Sequence, residues 1–139
     1  YEELQNELFK EEVRRKELDE ERQTSMSRGI DAYEDGDYEN GLQLLLKARE
    51  LGADSLDLMF YLGATYQKTM RYDEAIEAYR AVLDQDPMDT VTRYNLARIL
   101  EKLDRKREAL REYQVIMKHD PEDEEVRERA FELAMEMQE

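Results

Sequence analysis

Residues Leu56–Asp89, LDLMFYLGATYQKTMRYDEAIEAYRAVLDQDPMD, decide the fold. Their apolar positions follow the helical period twice. Met59, Leu62, Gly63 and Tyr66 fall on one face of a first helix. Met70-Arg71 breaks the pattern, and Ala75, Ile76, Tyr79, Val82 and Leu83 resume it on a second helix. Asp86-Pro87 ends the pair, because proline pushes the residue before it out of the helical region. Two short helices joined by a tight turn cannot bury both apolar faces alone, so the hairpin needs neighbours.

The chain supplies them at an offset of 34 residues. Gly29, Gly63 and Ala97 align, with Phe131 following in partial form. Gly41, Ala75 and Ala109 align, as do Leu45, Tyr79 and Tyr113, and Ala48, Val82 and Ile116. Tyr38 matches Tyr72, while Lys106 breaks that column. Ser55, Asp89 and Asp123 each stand where a helix starts, and all three side chains cap helix N-termini well. Pro87 and Pro121 match, with Ala53 in their place in the first copy. Glycine or alanine lets two helices approach closely, and aromatic rings opposite fill the wedge between hairpins.

This period and pattern resemble the tetratricopeptide repeat. In the middle copy Leu62, Gly63, Tyr66, Tyr72, Ala75, Tyr79, Val82 and Pro87 carry the signature. The first copy departs from it with Arg28 and Ala32 where leucine and tyrosine are usual, and the third with Lys106 for tyrosine. The resemblance implies an all-α solenoid of three helical hairpins, over residues 22–55, 56–89 and 90–123. Residues 1–21 read as a charged helical extension, and 124–139 as a C-terminal capping helix.

The net charge is −15, with 41% of residues charged. Nucleic acid is a poor partner for such a chain, since phosphate contacts need a concentrated basic face. The acidity keeps the chain in solution, or steers in a basic partner. Arg105-Lys106-Arg107, the one compact basic cluster, reads as solvated turn residues. The absence of cysteine excludes disulfides and thiolate metal sites. No apolar run is long enough to span a membrane, and no membrane contact is indicated. The chain starts at Tyr1 without methionine, which reads as a processed or cut fragment. A signal or anchor could have been removed, so the compartment stays open.

Tyr1–Arg22 is dense in Glu, Lys and Arg and lacks Gly and Pro. Glu11–Arg15 and Glu12–Lys16 stand at i,i+4 in the favourable order. The expectation is a helix running on to about Glu34, roughly 48 Å long at 1.5 Å per residue. Tyr1, Leu4, Leu8, Phe9, Val13 and Leu18 form a stripe too broken for a coiled coil. Two readings stand: a charged helix docked or half free, or an arm for self-association or partner binding. Gly36 reads as a turn residue and Gly52 as a helix C-terminal cap.

No phosphate loop, paired-histidine motif or nucleophile elbow occurs. His119, the single histidine, lies in a helix-to-proline connection. The expectation is a non-catalytic protein without cofactor, metal or small-molecule substrate. The informative residues are the apolar ones beyond what hairpin packing needs: Phe60 in the middle copy, Val91 and Tyr94 in the third, Met26, Ile30 and Tyr33 in the first. The resemblance implies that these positions, with Lys68, Lys102 and Arg98 and with Asp57, Gln67 and Glu101, line the concave groove where partners bind. The other reading packs them against the next repeat or beneath the N-terminal helix. Family members that grip the C-terminal carboxylate of heat-shock chaperones use Lys, Asn and Arg. Here those places hold Met26, Ile30, Tyr61, Val91 and Asn95, so that mode is not expected. The function expected is an adaptor that binds an apolar or amphipathic segment of another protein. The alternative is a self-assembly module forming homo-oligomers through the N-terminal helix or the open solenoid end.

Overall fold

A computed structural model describes residues 1–138. Among them are seven helices and no strand: α1 (Glu2–Glu34), α2 (Tyr38–Glu50), α3 (Leu56–Lys68), α4 (Tyr72–Gln85), α5 (Thr90–Lys102), α6 (Lys106–His119) and α7 (Glu124–Glu136). They divide into two compact units, Tyr1–Thr65 and Tyr66–Glu139, each described by itself.

In the first unit α1 and α2 form a hairpin whose closeness depends on glycine. A Cβ on Gly29 would lie 2.7 Å from Leu45 Cγ, and one on Gly41 would lie 3.1 Å from the Gly29 carbonyl. The turn between them uses Gly36 at φ +84°, and α2 ends on Gly52 at φ +98°. The Ala53 N–H then returns to the Ala48 carbonyl at 3.0 Å, satisfying one of the carbonyls a helix end leaves open. Arg22 Nε donates to Leu51 O at 2.7 Å, setting a cation at the negative end of α2. Ser25, which is buried, donates to Leu44 O at 2.7 Å. Leu42, Leu45 and Ala48 from α2 are buried, with Leu58, Leu62 and Ala64 from α3.

The expected long N-terminal helix is present, 33 residues in one piece. Residues 1–21 of the chain are exposed throughout. Charge pairs along the helix, such as Lys16–Glu12 at 3.9 Å, support it locally.

In the second unit α4 to α7 pack in chain order around Tyr79, Val82, Leu96, Leu100, Tyr113, Ile116 and Leu133. Asp89 and Asp123 cap α5 and α7, accepting from Thr92 N at 3.1 Å and Val126 N at 3.2 Å. In the first unit Ser55 does the same for α3, accepting from Leu58 N at 3.2 Å. Met70 and Asp104 sit at φ 61° and 60°, 34 residues apart and in the column of Gly36. The left-handed turn therefore recurs in each hairpin, although only the first copy places glycine there.

One detail differs from the sequence reading. The buried face of α3 is not Met59, Leu62, Gly63 and Tyr66. Leu58, Leu62, Gly63, Ala64 and Thr65 are buried, whereas Met59 and Tyr66 are only half-buried. In α5 the same columns, Thr92 and Ile99, are also fully buried alongside Leu96, Ala97 and Leu100. A helix with neighbours on more than one side buries two adjacent stripes. A single amphipathic stripe therefore describes too little of it.

Candidate partner-binding surfaces

On α1, Met26, Ile30 and Tyr33 succeed one another at one-turn spacing and are each half-buried. Tyr33 meets Tyr38 with ring centroids 5.5 Å apart and Tyr61 at 5.7 Å, the latter edge-on at 74°. Tyr61 meets Phe60 at 5.5 Å and 85°. The four rings thus form one chain, each contact in the tilted or edge-to-face range that aromatic quadrupoles favour. Burial pushes the Tyr33 hydroxyl above its usual range, and neighbouring Tyr38 and Tyr61 add to the shift. It stays a hydrogen-bond donor well into alkaline solution. Ser55 Oγ lies 3.8 Å from Met26 Sδ. Four of the expected groove residues, Met26, Ile30, Tyr33 and Phe60, therefore belong to the first unit.

Val91, Tyr94 and Arg98 belong to the second, on α5. Val91 is 60% exposed. With Tyr94, Glu125 and Val126 it lines a shallow cavity of about 210 Å³. The Tyr94 hydroxyl donates to Glu125 Oε1 at 2.7 Å and accepts from Arg98 Nη1 at 3.4 Å. Its ring stands at 6.0 Å and 61° to Tyr113. Burial, then the Glu125 hydrogen bond, raise the Tyr94 hydroxyl above its ordinary range. Lys68 is exposed in the last turn of α3 and joins neither cluster. Lys102 lies over the Tyr72 ring at 6.0 Å.

Gln67 and Glu101, expected on the open surface, are half-buried braces instead. Gln67 Oε1 accepts from the Tyr79 hydroxyl at 2.8 Å. One repeat on, Glu101 accepts from the Tyr113 hydroxyl and from Arg129 of α7. Arg129 also reaches Glu132 at 2.8 Å. Burial would raise the Glu101 carboxyl, but hydrogen bonds from Arg129 and Tyr113 outweigh it and hold the group below its ordinary value. Burial and the bond to Glu101 push Tyr113 far above the usual phenol range.

Sequence reasoning named neither Arg129 nor Glu125 as a partner of these residues. Both lie about one repeat downstream of what they touch, and no local pattern marks them. Tyr61 was placed only as a member of a missing carboxylate grip. Its position beside Phe60 was the available sign of a wider aromatic surface.

The chemistry on offer is recognition. The first unit presents clustered rings beside flexible Met26 and branched Ile30. The second presents a ring, a branched side chain and paired charges around a shallow depression.

Two sequence models of one family, described as Tetratricopeptide repeat, match residues 26–89 and 70–129. Among solved structures, MamA (AMB-1) matches with a TM-score of 0.75 and 23% identity, over 81% of this chain and 62% of that one. This chain therefore spans less than two thirds of the MamA length. The first TPR of Spaghetti (RPAP3), bound to an HSP90 peptide, matches with a TM-score of 0.74 and 12% identity, over 86% and 95% of the two chains. The Yersinia enterocolitica type III secretion chaperone SycD, in complex with a peptide of the translocator YopD, matches at 0.65 and 19%, over 81% and 86%. No curated protein matches the sequence.

Proposed function

Because the chain belongs to the tetratricopeptide repeat family, an all-α solenoid of helical hairpins, we propose that it is a non-catalytic adaptor holding an apolar or amphipathic segment of another protein. The observation that carries this reading is the chain of rings Tyr38–Tyr33–Tyr61–Phe60, beside half-buried Met26 and Ile30. Rigid aromatics bury much area at low entropic cost and are enriched among binding hot spots. Val91, Tyr94 and Arg98 supply a second contact surface on α5. Peptides bound to the RPAP3 domain and to SycD support peptide binding in general for a chain of this fold.

The partner segment is apolar at two or three positions and basic around them. The apolar positions answer the rings, and the basic ones answer the net charge of −15. It is not held by a terminal carboxylate, since Met26, Ile30, Tyr61, Val91 and Asn95 occupy the places of the family's cationic and amide grip.

The test is selection from a displayed library of short peptides with the intact chain as bait, followed by calorimetry on the enriched sequences. Phe60→Ala and Tyr33→Ala should each weaken binding by about 1–3 kcal/mol with helicity unchanged. Failure to enrich any sequence, or unchanged affinity in both variants, would remove the proposal.

A further inference from the structure

The cavity beside Tyr94 carries charge of one sign. Val91, Tyr94, Ile116 and Val126 make its apolar walls, and the charged residues that line it, Asp123 and Glu125, are both acidic. Its volume, about 210 Å³, is short of the roughly 300–1,000 Å³ of a small-molecule site. It suits a single long side chain.

Each carboxylate has one oxygen in use and one open. Glu125 Oε1 accepts from the Tyr94 hydroxyl at 2.7 Å, and Asp123 Oδ1 accepts from Val126 N at 3.2 Å. One repeat earlier Asp89 uses both of its oxygens, because Thr92 donates its hydroxyl at 2.9 Å as well as its N–H at 3.1 Å. Val126 stands in the column of Thr92 and has no hydroxyl to donate. Glu125 stands in the column of Val91, so the second carboxylate is also new to this repeat. Among the described residues nothing donates to Glu125 Oε2 or Asp123 Oδ2.

The arginines of α5 and α7 are engaged elsewhere. Arg93 donates to Glu112 at 2.7 Å and to the Pro87 carbonyl at 2.9 Å. Arg98 meets the Tyr94 hydroxyl and is not among the cavity's lining. Arg127 lines a separate groove, and Arg129 is held by Glu101 and Glu132. The positive end of α7 opposes a guest cation, but it amounts to about half a charge against two carboxylates. A bare metal ion is a poor guest. Calcium takes about 6–8 oxygens, and no group of three or more metal-ligating side chains occurs among the described residues. A long cationic side chain fits both features, since it lays its stem on apolar surface and keeps its charge at the rim.

We propose that this cavity holds the side chain of one arginine or lysine of the bound segment, its stem against Val91, Val126 and the Tyr94 ring and its cation on the Glu125 and Asp123 carboxylates. This assignment rests on the adaptor reading and gives one basic position of the partner a place between α5 and α7.

Calorimetry with peptides enriched on the intact chain tests it. Each basic residue of an enriched peptide is replaced in turn by norleucine, which keeps the stem and removes the charge. Against the parent chain, one such replacement should weaken binding by roughly five- to tenfold, between an exposed ion pair and a hydrogen bond to a charged group. Against Glu125→Gln the same replacement should cost less than about twofold, because its partner charge is already gone. Glutamine still offers an acceptor to the Tyr94 hydroxyl, and circular dichroism checks that the helices persist. Glu124→Gln removes an equal charge from the neighbouring groove and should leave the full loss in place. Suppose peptides bind and weaken with Phe60→Ala, yet respond to no norleucine replacement, or respond alike in Glu124→Gln and Glu125→Gln. Either result overturns the assignment and leaves the adaptor reading standing. If no peptide is enriched, both fall.

Discussion

Gly29→Ala tests the geometry on which the first hairpin rests. In an ordinary helix interior the change stabilises by about 1 kcal/mol, because glycine loses more backbone freedom on folding. Here the added methyl would lie 2.7 Å from Leu45 Cγ, 2.9 Å from Cδ2 and 3.2 Å from the Leu45 backbone nitrogen. Carbon atoms rest about 3.5–4.0 Å apart, so α1 and α2 must separate by about 1 Å or Leu45 must leave its rotamer. Leu45 is fully buried, and Cγ is its branch point, so neither adjustment is easy. Overpacking of this sort destabilises by about 1–3 kcal/mol. Set against the propensity gain, this leaves a net loss of up to about 2 kcal/mol. Urea unfolding followed by circular dichroism should show a lower midpoint at unchanged slope. Ala97 occupies the same column, so the loss belongs to Leu45's approach and not to the column as such. In a cycle with Leu45→Ala the two substitutions should therefore couple by about 0.5 kcal/mol or more. A Gly29→Ala chain more stable than the parent by the full propensity gain of about 1 kcal/mol, or one showing no coupling to Leu45→Ala, would refute the close approach of the two helices.

Met70→Gly should stabilise by about 1 kcal/mol, because Met70 holds φ 61° with an exposed side chain; thermal unfolding reads it, and a lowered midpoint would contradict it. Asp89→Ala and Asp123→Ala should each lose about 1 kcal/mol, since each side chain accepts from the third residue of its helix; urea midpoints measure this. Glu101→Gln should lose about 1.5–3 kcal/mol at neutral pH, the range for hydrogen bonds to a charged group, because Arg129 and Tyr113 both donate to it. Its pH dependence has a definite sign. The Glu101 carboxyl is held below its ordinary value, 4.5, so its contribution is complete above that value and fades as pH falls through the lowered one. Tyr113 is raised above 10.0, so its contribution is complete below pH 10 and fades as pH climbs beyond it. Unfolding midpoints across both ranges should slope less in Glu101→Gln than in the parent, and equal slopes would place the titration elsewhere.

The helical hairpins were legible because their signals are local and repeated. Small residues recur at Gly29, Gly63 and Ala97, caps at Ser55, Asp89 and Asp123, and chain breaks at Asp86-Pro87 and Asp120-Pro121. The full buried face of α3 was not legible. Periodicity reports one stripe per helix, and Leu58 and Thr65 lie on a second. The left-handed turn at Met70 was hidden because only glycine advertises that conformation. In the candidate surfaces, residue type and spacing pointed to Phe60 and Tyr94. The Tyr94–Glu125 and Glu101–Arg129 contacts join residues 31 and 28 apart. Many charged residues could pair at such distances, and sequence alone does not choose among them.

The 33-residue span of α1 has a consequence for how that helix comes to exist. Starting a helix in an isolated peptide is unfavourable, because the opening turn fixes several dihedrals for one hydrogen bond. In α1 that opening turn is never formed in isolation. Ser25, Gly29 and Ala32 lock the C-terminal third into the hairpin, and each residue before Arg22 then adds to a template already wound. The exposed portion is thus seeded from one end and melts from the other. Amide exchange should slow progressively from Glu2 toward Ser25, and a peptide cut free after Glu21 should be mostly coil.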